Sequence, residues 1–322
     1  MNKICTHCES SFEITEDDLK FYDKISPILN GKKYIIPAPT FCPDCRQQRR
    51  LSFRNERNLY RRKCDLTGKN IISVYSPDKP YKVYNQESFR GDTWDALAYG
   101  RDFDFSKPFF PQFKQLLDEV PKCTLVNGEK SAFVNSDYVN SAGAAKNCYL
   151  CYEIAFCEDC LYCNSVFTCK NTLDSSFVNN TEDCFRCTNC NNCTKVMFAY
   201  NSYNCSLSEC IVNCNGCSNC FMCRNLNNAQ YHILNVAYSK EEYEQKVQEL
   251  KKQKSLQEHF NDLFQQKMIR KSYEGVQNEN CLGNFVTNSK NAQHVFDCHN
   301  LEDCKYCSMI ADSHDVYDMD SR

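Results

Sequence analysis

Two cysteine pairs, Cys5-x2-Cys8 and Cys42-x2-Cys45, have the spacing of two metal knuckles. Two residues between paired thiols let both sulfurs face one ion, and two such turns complete a tetrahedral site, for which zinc is the expected metal. Four protein thiolates leave zinc no open position for water, so the expected role is to stabilise the fold and not to activate a substrate. Phe12, Tyr34, Ile35 and Ile36 lie between the knuckles and are expected to build the ribbon, with His7 a knuckle loop residue. The competing reading, four unrelated thiols, leaves the paired spacing without a reason.

Directly after the second knuckle, Arg46, Arg50, Arg54, Arg57 and Arg61 recur at steps of four, four, three and four. On a helix that spacing puts five guanidinium groups on one face, and Arg49, Arg62 and Lys63 thicken the patch. Guanidinium forks pair with phosphates, so this basic helix, with Phe53 and Tyr60 available for stacking, is expected to engage RNA or DNA. The alternative is a solvated face, or one paired with Asp92, Asp95, Asp102 and Asp104 further along the chain. Cys64-x2-Thr67 and Asn85-x2-Ser88 then repeat the knuckle layout with three of four ligand positions replaced. One cysteine cannot hold zinc there, but residues 71–75 and 81–84 read as a hairpin that survives without metal.

The elements that must position these residues divide the 322-residue chain by composition. The zinc ribbon with its basic helix takes residues 1–63, and a degenerate second ribbon 64–91. An aromatic connector follows over 92–121, with a short helix starting at Pro108 and ending near Val120, its aromatics expected to cap the first repeat. A Cys/Asn repeat region covers 122–238, a helical hairpin 239–272, and a continuation of the repeats 273–322. In the hairpin, Ser239 to Glu242 form a capping box. Tyr243, Val247 and Leu250 share one apolar face there, and Phe260, Leu263, Phe264 and Met268 another.

The repeats carry Asn or Asp at the second position of each unit: Asn147, Asp159, Asn171, Asp183, Asn192, Asn204, Asn213, Asn219, Asn280, Asn291, Asp303 and Asp315. These residue types suit corners where the chain turns left-handed, and stacked corners make ladders. Of the 16 cysteines between residues 145 and 224, all but Cys210 fall on one three-residue phase, which is neither helical nor simple strand periodicity. The expected fold is therefore mainly β: an N-terminal zinc ribbon followed by a parallel β-solenoid of short Asn-cornered coils, with units of variable length, interrupted by an α-helical hairpin. Polyproline-type segments are a lesser alternative, since only nine Gly and nine Pro occur. The last unit, from His314, lacks a polar cap, so that either the chain continues or a partner covers this end.

Three motifs carry a resemblance: residues 42–51 (CPDCRQQRRL), 75–81 (YSPDKPY) and 99–105 (YGRDFDF). Together with the Asn-Cys repeats they resemble an uncharacterised family of zinc-ribbon repeat proteins of uncultivated small-genome bacteria, over nearly the whole chain. The resemblance implies cysteines in relatives at the positions of Thr67, Asn85 and Ser88, hence a degenerate second site here. Some relatives carry a CoA-transferase label, for which this chain offers no catalytic carboxylate or CoA-binding element.

Charge and composition narrow the function. A net charge of -3 gives no global attraction to nucleic acid or membranes, leaving the local basic patch to do so. The N-terminus lacks a secretory pattern and no stretch is apolar enough to span a membrane, so a cytoplasmic protein is expected, in which 26 cysteines mean metal ligation or buried thiols rather than disulfides. Pairs such as Cys148/Cys151 and Cys160/Cys163 could stack into thiolate cages for zinc or iron-sulfur clusters. Alternatively cysteine fills a narrow interior as a small apolar residue, with Thr172 and Val316 as replacements. None of the six histidines forms a motif with a cysteine or serine nucleophile, so no catalytic residues are assigned. The expected function is a non-catalytic scaffold that binds nucleic acid or a ribonucleoprotein through the basic helix and a protein partner through the solenoid. The alternatives are a multi-metal thiolate storage or redox protein and an enzyme sited in the connector.

Overall fold

A computed structural model describes the chain except residues 53, 181, 189, 191–192, 266–272, 311–312 and 321–322. Phe53, Asn192 and Met268, singled out above, lie outside the described residues. The chain is mainly sheet with few helices, and it forms two compact units: Met1–Arg54 with Ile269–Arg322, and Asn55–Met268.

In the first unit, strands Asn2–Ile4 and Ser11–Glu13 pair antiparallel on either side of the Cys5 knuckle. Helix α1, Glu16–Ile25, starts from a capping box in which Thr15 accepts from the Asp18 N–H and Asp18 accepts from the Thr15 N–H. Asn30 and Gly31, both at positive φ, turn the short hairpin between Ile28–Leu29 and Lys32–Lys33. Tyr34, Ile35 and Ile36 are not strands: α1 lies between the knuckles along the chain, and this segment is tied to its end by Tyr34 N–H to Pro27 O and Ile36 N–H to the Ser26 hydroxyl. Helix α2, Pro43–Leu51, follows with Pro43 in its first turn.

The basic helix is shorter than its arginine spacing suggests. It ends at Leu51, where Ser52 donates to Arg49 O, and the Asn55 side chain then bonds both the N–H and the C=O of Asn58 in a tight turn. Arg61, Arg62 and Lys63 belong instead to strand Tyr60–Lys63 of the second unit, which pairs antiparallel with Asn70–Ser73 across the Cys64 knuckle. The expected hairpin of 71–75 with 81–84 therefore does not form, because residues 71–73 take 60–63 as their partner. Val83–Tyr84 pairs with Lys122–Cys123. Helix α3, Gln86–Arg90, and helix α4, Phe109–Glu119, follow. No residue of α4 is buried and Phe105 and Phe110 stay largely exposed, so these rings do not cap the first repeat, and Trp94 packs on Tyr84 and Phe89.

From Val139 to Ala237 the chain builds a ten-stranded sheet, parallel except for its last strand. Every parallel partner lies twelve residues on, as in Cys187↔Ala199, Ala199↔Ile211 and Ile211↔Cys223. The backbone reason is a left-handed residue at every third position: Asn147, Leu150, Glu153, Phe156 and Asp159 all have φ near 55°. The residue after each turns inward, so Cys148, Cys151, Ile154, Cys157 and Cys160 are buried. Four such triplets separate partners in register. The repeat length therefore does not vary here, and the apparent steps of nine and six arise because Asn occupies different corners of one frame. Asn201 donates to Asn213 and Asn213 to Asn225, each twelve residues on. Outside, charges alternate at the same spacing, as Lys146 and Lys170 both pair with Glu158.

Strand Val236–Ala237 turns back antiparallel and closes the sheet. Helices α5, Lys240–Gln253, and α6, Leu256–Gln265, lie over it as the expected hairpin, with the Ser239–Glu242 capping box formed. Tyr243 and Val247 bury against Phe221 and Ile233. Cys210, the one cysteine off phase, sits at a left-handed corner beneath the hairpin and donates to Leu256 O.

The C-terminal repeats form a separate four-stranded parallel sheet in the first unit. Its first step is eleven residues, Val276↔Thr287, and the register recovers twelve through an irregularity at Leu282/Gly283. Gly283, at φ 150°, accommodates the missing residue, since a Cβ there would lie 1.7 Å from Val295 O. The last repeat is covered within its own unit: Tyr317 stacks on Phe21 of α1 at 3.7 Å, and Lys305 reaches Asp18.

Candidate metal centre and basic surface

The two N-terminal knuckles converge. The sulfurs of Cys5, Cys8, Cys42 and Cys45 all lie within 4.8 Å of one another, with Cys8 Sγ 3.6 Å from Cys42 Sγ. The first turn is held by Cys5 N–H to Ser10 O and Glu9 N–H to Cys5 O, with Glu9 left-handed. Thr6 N–H to Thr40 O joins it to the second turn. Cys42 occupies the N-cap position of α2 without a side-chain capping bond, and Cys45 lies in the first turn.

Electrostatics favour a cation at this centre. Burial opposes ionisation of Cys5, yet the backbone N–H groups of Cys8, Cys42 and His7 bring it down to about 6. Its neighbour Cys45 is pushed the other way, chiefly by Cys8, because adjacent thiolates repel. Four thiols this close cannot all ionise without a positive charge between them, and a thiophilic divalent ion meets that need. His7 Nδ1 sits 3.4 Å from Cys45 Sγ, a hydrogen-bonding neighbour of the set and not a fifth member.

At Cys64 the turn is organised by hydrogen bonds. Asn85 N–H donates to Cys64 Sγ, and the Asn85 amide donates to Thr67 Oγ1. Asn85 Oδ1 caps α3 by accepting from Ser88 N–H. The replaced positions thus hold the turn through hydrogen bonds.

The repeat thiols are arranged differently from the N-terminal four. Cys151 Sγ lies 3.4 Å from Tyr149 O and 3.1 Å from Cys160 O, and Cys157, Cys163, Cys223 and Cys307 repeat that pair of carbonyls two residues back and nine on. A carbonyl accepts a proton and repels a thiolate, so these sulfurs are placed as S–H donors. Thr172, Ser175, Ser202, Ser208 and Ser289 take the same inward position and bond the same carbonyl two residues back. Burial pushes Cys205, Cys214 and Cys307 up to about 12, whereas thiols that also face one another are split: Cys151 lowers Cys163, Cys160 lowers Cys157, and Cys223 brings Cys220 down to about 7. Among the described residues, only the N-terminal four bring three or more metal-ligand atoms within mutual reach.

The basic residues are dispersed. Arg46 pairs with Asp318 at 2.8 Å and Arg50 with Asp320 at 2.7 Å, so two of the expected phosphate contacts hold the last repeat against α2. Arg49 is exposed over the Phe41 ring. Arg54 and Arg57 lie beyond the helix, and Arg57 is exposed. Arg62 is occupied by Asp65 and the carbonyls of Ser76 and Tyr81. Arg61 and Lys63 project from exposed positions of their strand with no ion pair among the described residues.

The interior pairing of α1 with the last repeat had a sequence signal, the Thr15-x2-Asp18 capping box, but nothing local identifies Lys305 as its partner. No helix among the described residues is long and apolar enough to cross a membrane. The sequence matches no protein-family model and no curated protein.

Proposed function

We propose that this chain is a non-catalytic, cytoplasmic binding scaffold, in which zinc held by Cys5, Cys8, Cys42 and Cys45 fixes a ribbon and the parallel sheets are the faces of β-solenoid coils. The twelve-residue register with a left-handed corner every third residue supports the solenoid reading. Its exposed basic residues engage nucleic acid or a ribonucleoprotein, and its long rigid flank receives a protein partner. The observation that carries this reading is the contrast between one convergent tetrathiol and many thiols aimed at carbonyls. It favours one structural metal and an inert interior over multi-metal storage. Zinc in a closed site supplies folding free energy and no chemistry on a substrate.

The basic surface is best sought away from α2, since Arg46 and Arg50 already face carboxylates. Of the basic residues beyond α2, Arg57, Arg61 and Lys63 are exposed. The test is fluorescence anisotropy of the full chain with single- and double-stranded RNA and DNA between about 50 mM and about 200 mM salt. Binding that weakens steeply with salt is expected. No salt-sensitive binding to any of the four would overturn the nucleic-acid part of the reading.

A further inference from the structure

Within the second unit, a cleft of about 830 Å³ opens beside the Cys64 knuckle. Its lining includes Arg61, Lys63, Lys69 and Lys130, against the acidic residues Glu87 and Asp137. Arg61 and Lys63 are two apart on one strand, so their side chains leave the same face, while Arg62, which also lines the cleft, is bound to Asp65. The knuckle turn, closed by Cys64 N–H to Lys69 O, brings Lys69 beside them. Lys130 faces Glu87 at 3.6 Å, which leaves Arg61, Lys63 and Lys69 facing Asp137 alone. The cleft is positive by residue count and by the absence of ion pairs to these three among the described residues.

A second feature begins at its wall. Tyr138 lines the cleft, its ring 5.4 Å from that of Tyr149, which is 5.9 Å from Tyr162. Tyr149 and Tyr162 are 41% and 54% exposed, so these rings add little to the core. We infer that this cleft and ladder bind single-stranded nucleic acid, with phosphates on Arg61, Lys63 and Lys69 and bases against the tyrosines. This rests on the nucleic-acid reading above and adds the form of the strand and its place. A basic track beside aromatic rings is the combination that recognises unpaired strands, because each base offers a face for stacking. In a duplex those faces are already stacked on one another, and only phosphates remain for the cleft.

The experiment titrates the full chain against a labelled short oligouridine, the same-length duplex and uridine monophosphate, at two salt concentrations. The single strand is expected to bind at least tenfold tighter than either alternative. Arg61→Glu with Lys63→Glu is expected to weaken it at least tenfold and to lower the salt slope by roughly 0.7 per lost phosphate contact. Tyr149→Ala is expected to weaken it roughly tenfold with the slope unchanged. Lys69→Glu, in an exposed turn, repeats the charge test should the strand variant fail to fold. Equal affinity for duplex or mononucleotide, or cleft variants that bind like the parent, would overturn the inference. If binding persists in those variants and is lost in Arg49→Glu, the cleft is wrong and the broader reading stands; if no nucleic acid binds, both fall.

Discussion

The Lys305 ammonium lies 2.8 Å from an Asp18 carboxylate 287 residues earlier in the chain. Asp18 is 3% exposed and also accepts from the Thr15 N–H and hydroxyl, so one side chain both starts α1 and receives the last repeats. Removing one partner of a buried pair leaves the other charge uncompensated, which costs about 3 kcal/mol. Lys305→Met is expected to lower stability by roughly that amount, and adding Asp18→Asn should cost less than the sum of the two single changes. Denaturant unfolding of the four proteins measures this; strict additivity would show that the pair is not coupled.

The same pair sets a pH dependence. Burial alone would raise the Asp18 carboxyl, but Lys305 and Thr15 hold it below the ordinary carboxylate range. Its contribution to stability is therefore full above the unfolded value near 4 and is lost as pH falls through the lower folded value. The acid limb of the stability profile is expected to flatten in Lys305→Met. An unchanged limb would assign the acid sensitivity to other carboxylates.

How much of this could be read from the residues depends on distance along the chain. The Cys5/Cys8 and Cys42/Cys45 spacing identified the convergent set, and the three-residue cysteine phase reflected the left-handed corners. The corners themselves were only partly visible, because Leu150, Phe156 and Tyr162 adopt φ near 55° without being residues that favour it. The frame imposes that conformation on them. The arginine steps mimicked one long helix across Ser52 and Asn55, which end it, and no local pattern marks Asp318 and Asp320 as partners of Arg46 and Arg50.

The two knuckle sites should respond oppositely to loss of a thiol. If Cys5, Cys8, Cys42 and Cys45 hold zinc, Cys45→Ser is expected to abolish metal binding and unfold the start of α2, because structural zinc sites contribute roughly 10 kcal/mol or more of apparent binding free energy. Cys64→Ser should retain the full metal content, since Thr67, Asn85 and Ser88 already hold that turn by hydrogen bonds. Elemental analysis with far-UV circular dichroism distinguishes them. Metal lost from Cys64→Ser would assign it a ligand role.

At Asn213, conformation and side-chain bonding can be separated. Asn213→Ala loses two ladder bonds and puts at φ 53° a residue without the short polar side chain that lets Asn adopt this conformation, so a loss of roughly 2 kcal/mol is expected. Asn213→Gly keeps the left-handed turn and should lose less. Equal losses would mean that the ladder, and not the turn, carries the effect.

Gly283 tests the register change in the C-terminal sheet. Gly283→Ala drives a methyl group onto Val295 O and should cost about 3 kcal/mol, with loss of pairing between Leu282–Thr287 and Gln293–His299. Hydrogen exchange at Val295 and Phe296 reports on that pairing. Undiminished protection would show that the sheet can absorb the residue.

One structural metal beside an inert thiol interior is the arrangement proposed for this chain. Metal content, thiol titration after denaturation with a chelator, and a visible spectrum on anaerobically purified protein test it together. About one zinc per chain, all 26 cysteines recovered as thiols and no visible absorbance are expected. Several zinc ions per chain, or iron with visible bands, would contradict it and make the repeat thiols the functional site.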